Sequence, residues 1–435
     1  MKFTAFITIL IAILAVYFKT ELYAAAVACT IQISLYANNY FFLSLFFNGF
    51  TPENSHFPSL NMGNHNILTM KWIYVFRYMF KDQFFMSSLA DETLTDIETR
   101  LHKQFNDNGW NISTFSEVPV PTIQWGDISP EEFHSNYVVP GVPVILKNVP
   151  TSARELWSPE FFASNYGEHE IDVVNTITQS VLRMNMSRYV DAHRSDTDPE
   201  RGTDTWYIRA LSDIFDAYPE LSEQVNPQQF GEYLKSRFIT SQIFMGMVQS
   251  SGTSYHCANF NNLFFQIQGR KKWTFVSPQY NALMYPMFNE KSMDVASFVT
   301  TVALGSDDIM KSHFPLYQYA PKMTAVLEPG DVLMNPPWQW HMIENLEPVS
   351  IGVATRWFLS PGQKYQNAVH STLQFLSPYI WNLYYSKILN LERGIRAHKA
   401  SNTPPMDERF NFGVKGSAAA YRPKIFPASV YKSSM

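Results

Sequence analysis

One stretch, Ser251 to Lys272 (SGTSYHCANFNNLFFQIQGRKK), most constrains the fold. A small polar head, Gly252-Thr253-Ser254-Tyr255-His256, leads to Leu263-Phe264-Phe265-Gln266-Ile267 and then to the basic turn Gly269-Arg270-Lys271-Lys272. The apolar run is too short for a core helix and is bounded by turn residues, so it reads as a buried strand. An answering segment, Glu328 to His341 (EPGDVLMNPPWQWH), carries the same parts in reverse order, tight turn, apolar run and then histidine.

The same rhythm of short runs and turn punctuation extends on both sides. Strands are expected over Pro143–Leu146, Ile171–Val174, Thr205–Ile208, Ile243–Val248, Phe264–Gln268, Trp273–Ser277, Met323–Leu327, Val332–Asn335 and Ile351–Arg356. Ser129-Pro130-Glu131-Glu132 carries an N-cap, a proline at N1 and the acid of a capping box, so a short helix starts there. Ser158-Pro159-Glu160 starts another, with Gly167 as its stop, and Leu211–Phe238 reads as helical with breaks at Pro219 and Pro227. Strand spacing of this kind suits a barrel or a sandwich and does not choose between them.

The N-terminal region differs in kind. Phe3–Phe18 is uncharged and, after Lys19 and Glu21, Leu22–Phe50 carries no charge at all. Uncharged runs of this length predict membrane-spanning helices, and with them an endomembrane location, a secretory signal ending near Ala24–Ala28, or a buried core hairpin, the first being favoured. The expected organisation is therefore a hydrophobic region over 1–50, a linker with helices over 51–117 (including Asp91–Phe105) and a core over 118–360. Apolar helices over 361–400, a barrel cap or dimer surface, and a loose tail over 401–435 complete it. The formal net charge of −5 argues against nucleic acid as the partner. Only two cysteines, Cys29 and Cys257, occur, so neither a disulfide framework nor a zinc finger is expected.

Taken together, Gly252-Thr253-x-x-His256, Asn262, Gly269-Arg270-Lys271 and Pro329-Gly330-Asp331-Val332-Leu333-x-x-Pro336-Pro337-x-x-Trp340-His341 resemble the Jumonji C and cupin-like hydroxylases. The helix at Ser129–Phe133 and Gly141-Val142-Pro143-Val144 also resemble the way cupin-like members begin. The resemblance covers about 120–360. It implies a mainly β fold, a double-stranded β-helix with flanking helices, and Fe(II) and 2-oxoglutarate as cofactors. It further implies that His256 and His341 are two metal ligands. Lys271, helped by the Thr253 hydroxyl, would hold the far carboxylate of 2-oxoglutarate, and Asn262 would line the pocket.

One position departs from that pattern. Alternate residues of a strand share a face, so the third iron ligand, a carboxylate, belongs two places after His256. Ala258 stands there, and no Asp or Glu occurs from Ser250 to Asn289. Cys257 and Asn259 have the wrong parity, while water or a halide could fill the position. Three readings stay open: a hydroxylase homologue with an incomplete metal triad, a catalytically inactive binding module, and a halogenase-like oxidative enzyme. The substrate, protein or small molecule, is not chosen by any residue.

Overall fold

The computed structural model describes residues 43, 46–47, 65–79, 84–108, 117–175, 181–194, 206–247, 252–258, 260–288, 295–299 and 304–363. They fall into two units. The first contains helices α1 (His65–Met79) and α2 (Phe84–Asp107), which pack on each other. On α2, Leu94, Ile97, Leu101 and Phe105 recur at helical spacing and are all buried. Arg77 of α1 bridges to Asp91 of α2 at 2.7 Å.

The expected membrane segment is corrected here. Among the described residues no helix is long and apolar enough to cross a membrane. Of residues 1–50 only Leu43, Phe46 and Phe47 are described, and all three are buried within this unit, Phe47 stacking on Tyr74 with ring centroids 5.6 Å apart. Aromatic side chains that could have faced lipid are here packed on protein. The rest of 1–50 lies outside the described residues, as do residues 364–435 with the expected C-terminal helices, dimer surface and tail.

The second unit is mainly β. Its described strands are β1 (Val118–Pro119), β2 (Thr122–Gln124), β3 (Val144–Lys147), β4 (Glu170–Asn175), β5 (Val181–Asn185), β6 (Trp206–Leu211), β7 (Phe238–Gly246) and β8 (Thr253–Cys257). They continue with β9 (Asn261–Gln268), β10 (Lys271–Val276), β11 (Pro286–Phe288), β12 (Val295–Ser297), β13 (Met323–Leu327), β14 (Val332–Asn335), β15 (Trp340–Asn345) and β16 (Ser350–Trp357). One sheet runs β1-β13-β10-β15-β8-β12-β11 and the other β2-β3-β14-β9-β16-β7-β6-β4-β5. They face each other across an apolar layer that takes Trp273, Phe275 and Leu327 from the first sheet and Phe264, Leu333 and Ala354 from the second. The outer face of the second sheet is covered by short helices carrying Phe133, Phe162, Leu221 and Phe230, all fully buried.

Local chemistry sets the punctuation. The Ser129 hydroxyl accepts from the Glu132 backbone N–H at 3.2 Å while the Glu132 carboxylate accepts from the Ser129 N–H at 3.1 Å, a reciprocal cap that opens helix Pro130–Phe133. At the β13–β14 turn Gly330 has φ +96°, a conformation that favours glycine. Buried Asp331 then accepts from the Glu328 N–H at 2.8 Å and from Lys147 Nζ at 2.8 Å, locking the turn to β3. Asp331→Ala removes the acceptor and leaves Lys147 without its buried partner. An unfolding free energy lower by about 3 kcal/mol in denaturant titrations is expected, and a loss below about 1 kcal/mol would show that the lock is dispensable.

Candidate functional site

The site lies between the two sheets. From the first sheet, β8 and β15 pair so that His256 and His341 stand opposite each other, with ring centroids 4.2 Å apart. Each ring is tied by its own strand: His256 Nδ1 is 2.9 Å from the Ser254 carbonyl and His341 Nδ1 is 2.9 Å from the Gln339 carbonyl. A carbonyl only accepts, so Nδ1 of each ring carries the proton and Nε2 keeps its lone pair. Burial pushes His256 down to about 4, with the Arg356 and Arg209 guanidiniums acting the same way. Burial, and then His256 itself, holds His341 well below the usual imidazole range. Both rings are neutral near pH 7 and are available as donors to a metal.

Cys257 is fully buried and pairs with Val295, on the face away from the histidine rings. Ala258 follows the end of β8, where its carbonyl accepts from the Trp338 N–H at 2.7 Å, and it offers only a methyl side chain. Among the described residues no group of three or more His, Cys, Asp or Glu side chains could hold a metal ion.

Lys271 opens β10 directly after the turn at Gly269, and its side chain is 1% exposed. Its neighbours behave differently: Arg270 pairs with Glu347 on the surface, and Lys272 lies 3.8 Å from Glu117. Lys271 Nζ instead donates to Tyr207 Oη at 3.1 Å and sits 5.5 Å from the Phe264 ring centroid. No acid among the described residues pairs with it, and burial lowers its pKa to about 7. The Tyr207 phenol, whose own pKa burial raises, stays neutral and keeps its O–H to donate. Two glycines make this arrangement fit. A Cβ at Gly246 would crowd the Tyr207 ring at 3.1 Å, and one at Gly352 would overlap the edge of the Phe264 ring.

Thr253 and His256 are three residues apart, which on a regular strand would put them on opposite faces. The β8–β15 register shifts between them, so that Thr253 pairs with Ile343 and His256 with His341. This bulge turns both toward the interior. Asn262, on β9, pairs with Asn335 of β14 and with Arg356 of β16. The side-chain oxygens of Asn262 and Asn335 have no hydrogen-bond partner among the described residues, and Asn335 Nδ2 lies 3.3 Å from His341 Nδ1 across the gap between the sheets. Trp273 lies flat against His341, with centroids 5.4 Å apart, as a wall of the pocket.

Tyr207, Arg209, Gln242, Asn335 and Arg356 complete the lining and were not expected from the sequence. Strand parity offered a signal for some of them. Tyr207 lay inside the expected strand Thr205–Ile208, and Asn335 inside the glycine–aspartate motif segment. What was missing was which distant strand each would face.

A family model described as "Cupin-like domain" matches residues 130–364, more than half of the chain. The chain belongs to this cupin-like, Jumonji C-type family. Among curated relatives of the cupin-like chain, the HSPB1-associated protein 1 homolog of Danio rerio is 35% identical over 114 residues, which are 26% of this chain and 24% of that protein. The tRNA wybutosine-synthesizing protein 5 of Danio rerio is 25% identical over 272 residues, 57% of this chain and 77% of that one. Lysine-specific demethylase 8 of Xenopus tropicalis is 25% identical over 252 residues, 56% and 53% respectively. The chain spans between about a fifth and a quarter of the length of the HSPB1-associated relatives it matches. The family is one of 2-oxoglutarate- and iron(II)-dependent oxygenases.

Lys271 allows a direct check of the buried cation. Its pKa is about 7 in the folded protein against 10.5 as the ordinary value. The unfolded chain therefore binds more protons between those limits, and stability rises with pH through the window. In Lys271→Met the unfolding free energy should climb less steeply from pH 7 to pH 9, by up to about 1.4 kcal/mol per pH unit. Identical slopes in the two proteins would place Lys271 in water.

Proposed function

We propose that this chain is a 2-oxoglutarate-binding member of the cupin-like oxygenase family whose metal site lacks its carboxylate ligand. The observation that carries this reading is Lys271, buried between the sheets beside Tyr207 with no acid among the described residues to pair with it. A buried ammonium of this kind is best satisfied by a carboxylate brought in by a ligand, and charge-assisted bonds to it are strong and directional. Lys271 and Tyr207, joined by the hydroxyl of Thr253, would hold the far carboxylate of 2-oxoglutarate. Asn262 and Asn335 present polar atoms toward its other end. When bound and activated by iron, 2-oxoglutarate supplies the oxidising power of family members.

The residues fit the dicarboxylate better than they fit the iron. His256 and His341 provide two nitrogens, but the methyl of Ala258 provides no third donor. The facial set of two histidines and one carboxylate that suits non-haem iron is not met, so no oxidation step is assigned to this chain. What its residues do is bind and orient: Lys271 fixes one end of the ligand, the tied imidazoles keep their Nε2 lone pairs inward, and Trp273 and Phe264 exclude water. The reading is therefore that of a ligand-binding module derived from an oxygenase. Substrates and partners of the relatives remain theirs.

Two measurements on the full chain test this. Calorimetry should detect 2-oxoglutarate binding that falls at least a hundredfold in Lys271→Met, a loss of about 2.7 kcal/mol. With iron and ascorbate, the native chain should form little or no succinate, whereas Ala258→Asp should bind iron more tightly. Absence of 2-oxoglutarate binding, or brisk succinate formation by the native chain, would refute the proposal.

A further inference from the structure

Two lysines of this domain sit in opposite settings. Lys147 of β3 lies 2.8 Å from the Asp331 carboxylate and 3.0 Å from that of Glu328. Burial lowers its pKa, but the hydrogen bonds and charges of those two acids outweigh burial and raise it. Lys271 is paired with no acid among the described residues, and its hydrogen-bond partner is a phenol, Tyr207 Oη at 3.1 Å. A phenol hydroxyl accepts from an ammonium and equally donates to a neutral amine, so this partner suits Lys271 in either protonation state. A carboxylate, which only accepts, would suit the ammonium alone.

The surroundings add no charge that would fix one state. Leu327 of β13 and Asn345 of β15 stand opposite Lys271, and the ring centroids of Phe264 and Tyr207 lie 5.5 and 5.6 Å from Nζ. Gly246 of β7 and Gly352 of β16 back those two rings. On these strands the titratable residues are Tyr207 and Arg209 of β6, His341 and Glu344 of β15 and Arg356 of β16, while β7, β9 and β13 carry none. Beyond β13, Glu328 bridges to Lys147, and on β10 itself Lys272 lies 3.8 Å from Glu117. Burial is the cause that lowers Lys271 to about 7, and no charge among the described residues contributes to that shift. Burial raises Tyr207, so the phenol keeps its own proton while the lysine exchanges.

We propose that the pocket takes up 2-oxoglutarate together with a proton: without ligand Lys271 exchanges between amine and ammonium on the Tyr207 hydroxyl, and an arriving carboxylate fixes the ammonium. This rests on the reading of Lys271 as the anchor of the far carboxylate. Both carboxyls of 2-oxoglutarate are already ionised above about pH 6, so the proton comes from solvent and stays on Lys271 Nζ. The sign follows from linkage. A carboxylate at Nζ favours the charged form and raises the pKa, as Asp331 and Glu328 do for Lys147. Binding therefore draws in a proton wherever the pH lies between the free and bound values, and affinity falls as pH rises through that window. Acidification loads the site and alkalinity empties it.

Calorimetry of 2-oxoglutarate on the full chain, run in both Tris and HEPES, tests the coupling, because the two buffers differ in ionisation heat and the difference in signal counts protons. About one proton per ligand should be taken up at pH 8 and about a tenth of one at pH 6, with affinity about tenfold weaker at pH 8. Lys271→Arg keeps a cation that does not exchange, so it should bind with no proton uptake and an affinity constant within about twofold over that range. If this variant does not fold or bind, the proton count of the native chain still decides the question. Binding with less than about a quarter of a proton at pH 8, or an equal count in Lys271→Arg, overturns the coupling and leaves Lys271 as the anchor. No binding at either pH overturns both.

Discussion

A lysine ammonium buried without a carboxylate is the constraint around which this pocket is built. Holding Lys271 at 1% exposure is costly unless something completes it. The protein supplies part of the answer in the Tyr207 hydroxyl at 3.1 Å and the faces of two aromatic rings. Gly246 and Gly352 exist in the facing sheet to let those rings close on the ammonium. Among the described residues none supplies an anion to Lys271, and this deficit is the basis for proposing an acidic ligand.

The two sheets divide the labour. The first contributes Lys271 on β10 and the histidine pair on β8 and β15, all from adjacent strands. The second contributes Tyr207, Gln242, Arg356, Asn262 and Asn335 from five strands in a row. Each contribution depends on register. A one-residue slip of β10 would turn Lys271 out to solvent and bring Lys272 in. The Asp331–Lys147 lock and the left-handed glycines at the turns guard against such slips.

Much of this was legible in the sequence where the signal is local. Met323–Leu327 and Val332–Asn335 form strands over those residues, and the capping box at Ser129 sits where its spacing put it. The place of Lys271 in the pocket was implied by the family resemblance, and the strand expected from Trp273 in fact begins at Lys271. Less was legible where the signal is long-range. Arg356 meets Gln242 across 114 positions of sequence, and Lys271 meets Tyr207 across 64. The bulge that brings Thr253 and His256 to one side of β8 is invisible to an alternation rule and came only with the structure. In the N-terminal region, low charge favoured lipid exposure over a secretory signal or a buried hairpin, whereas Phe46 and Phe47 are buried in protein. An apolar run reports that surface is hidden and says nothing of what hides it.

The measurement that bears most directly on this account is a structure of the protein with 2-oxoglutarate bound. The far carboxylate should lie within about 3 Å of Lys271 Nζ and Tyr207 Oη, with the rest of the ligand running toward the histidine pair. A ligand bound elsewhere, or a Lys271 side chain turned out of the pocket, would contradict the account at its base.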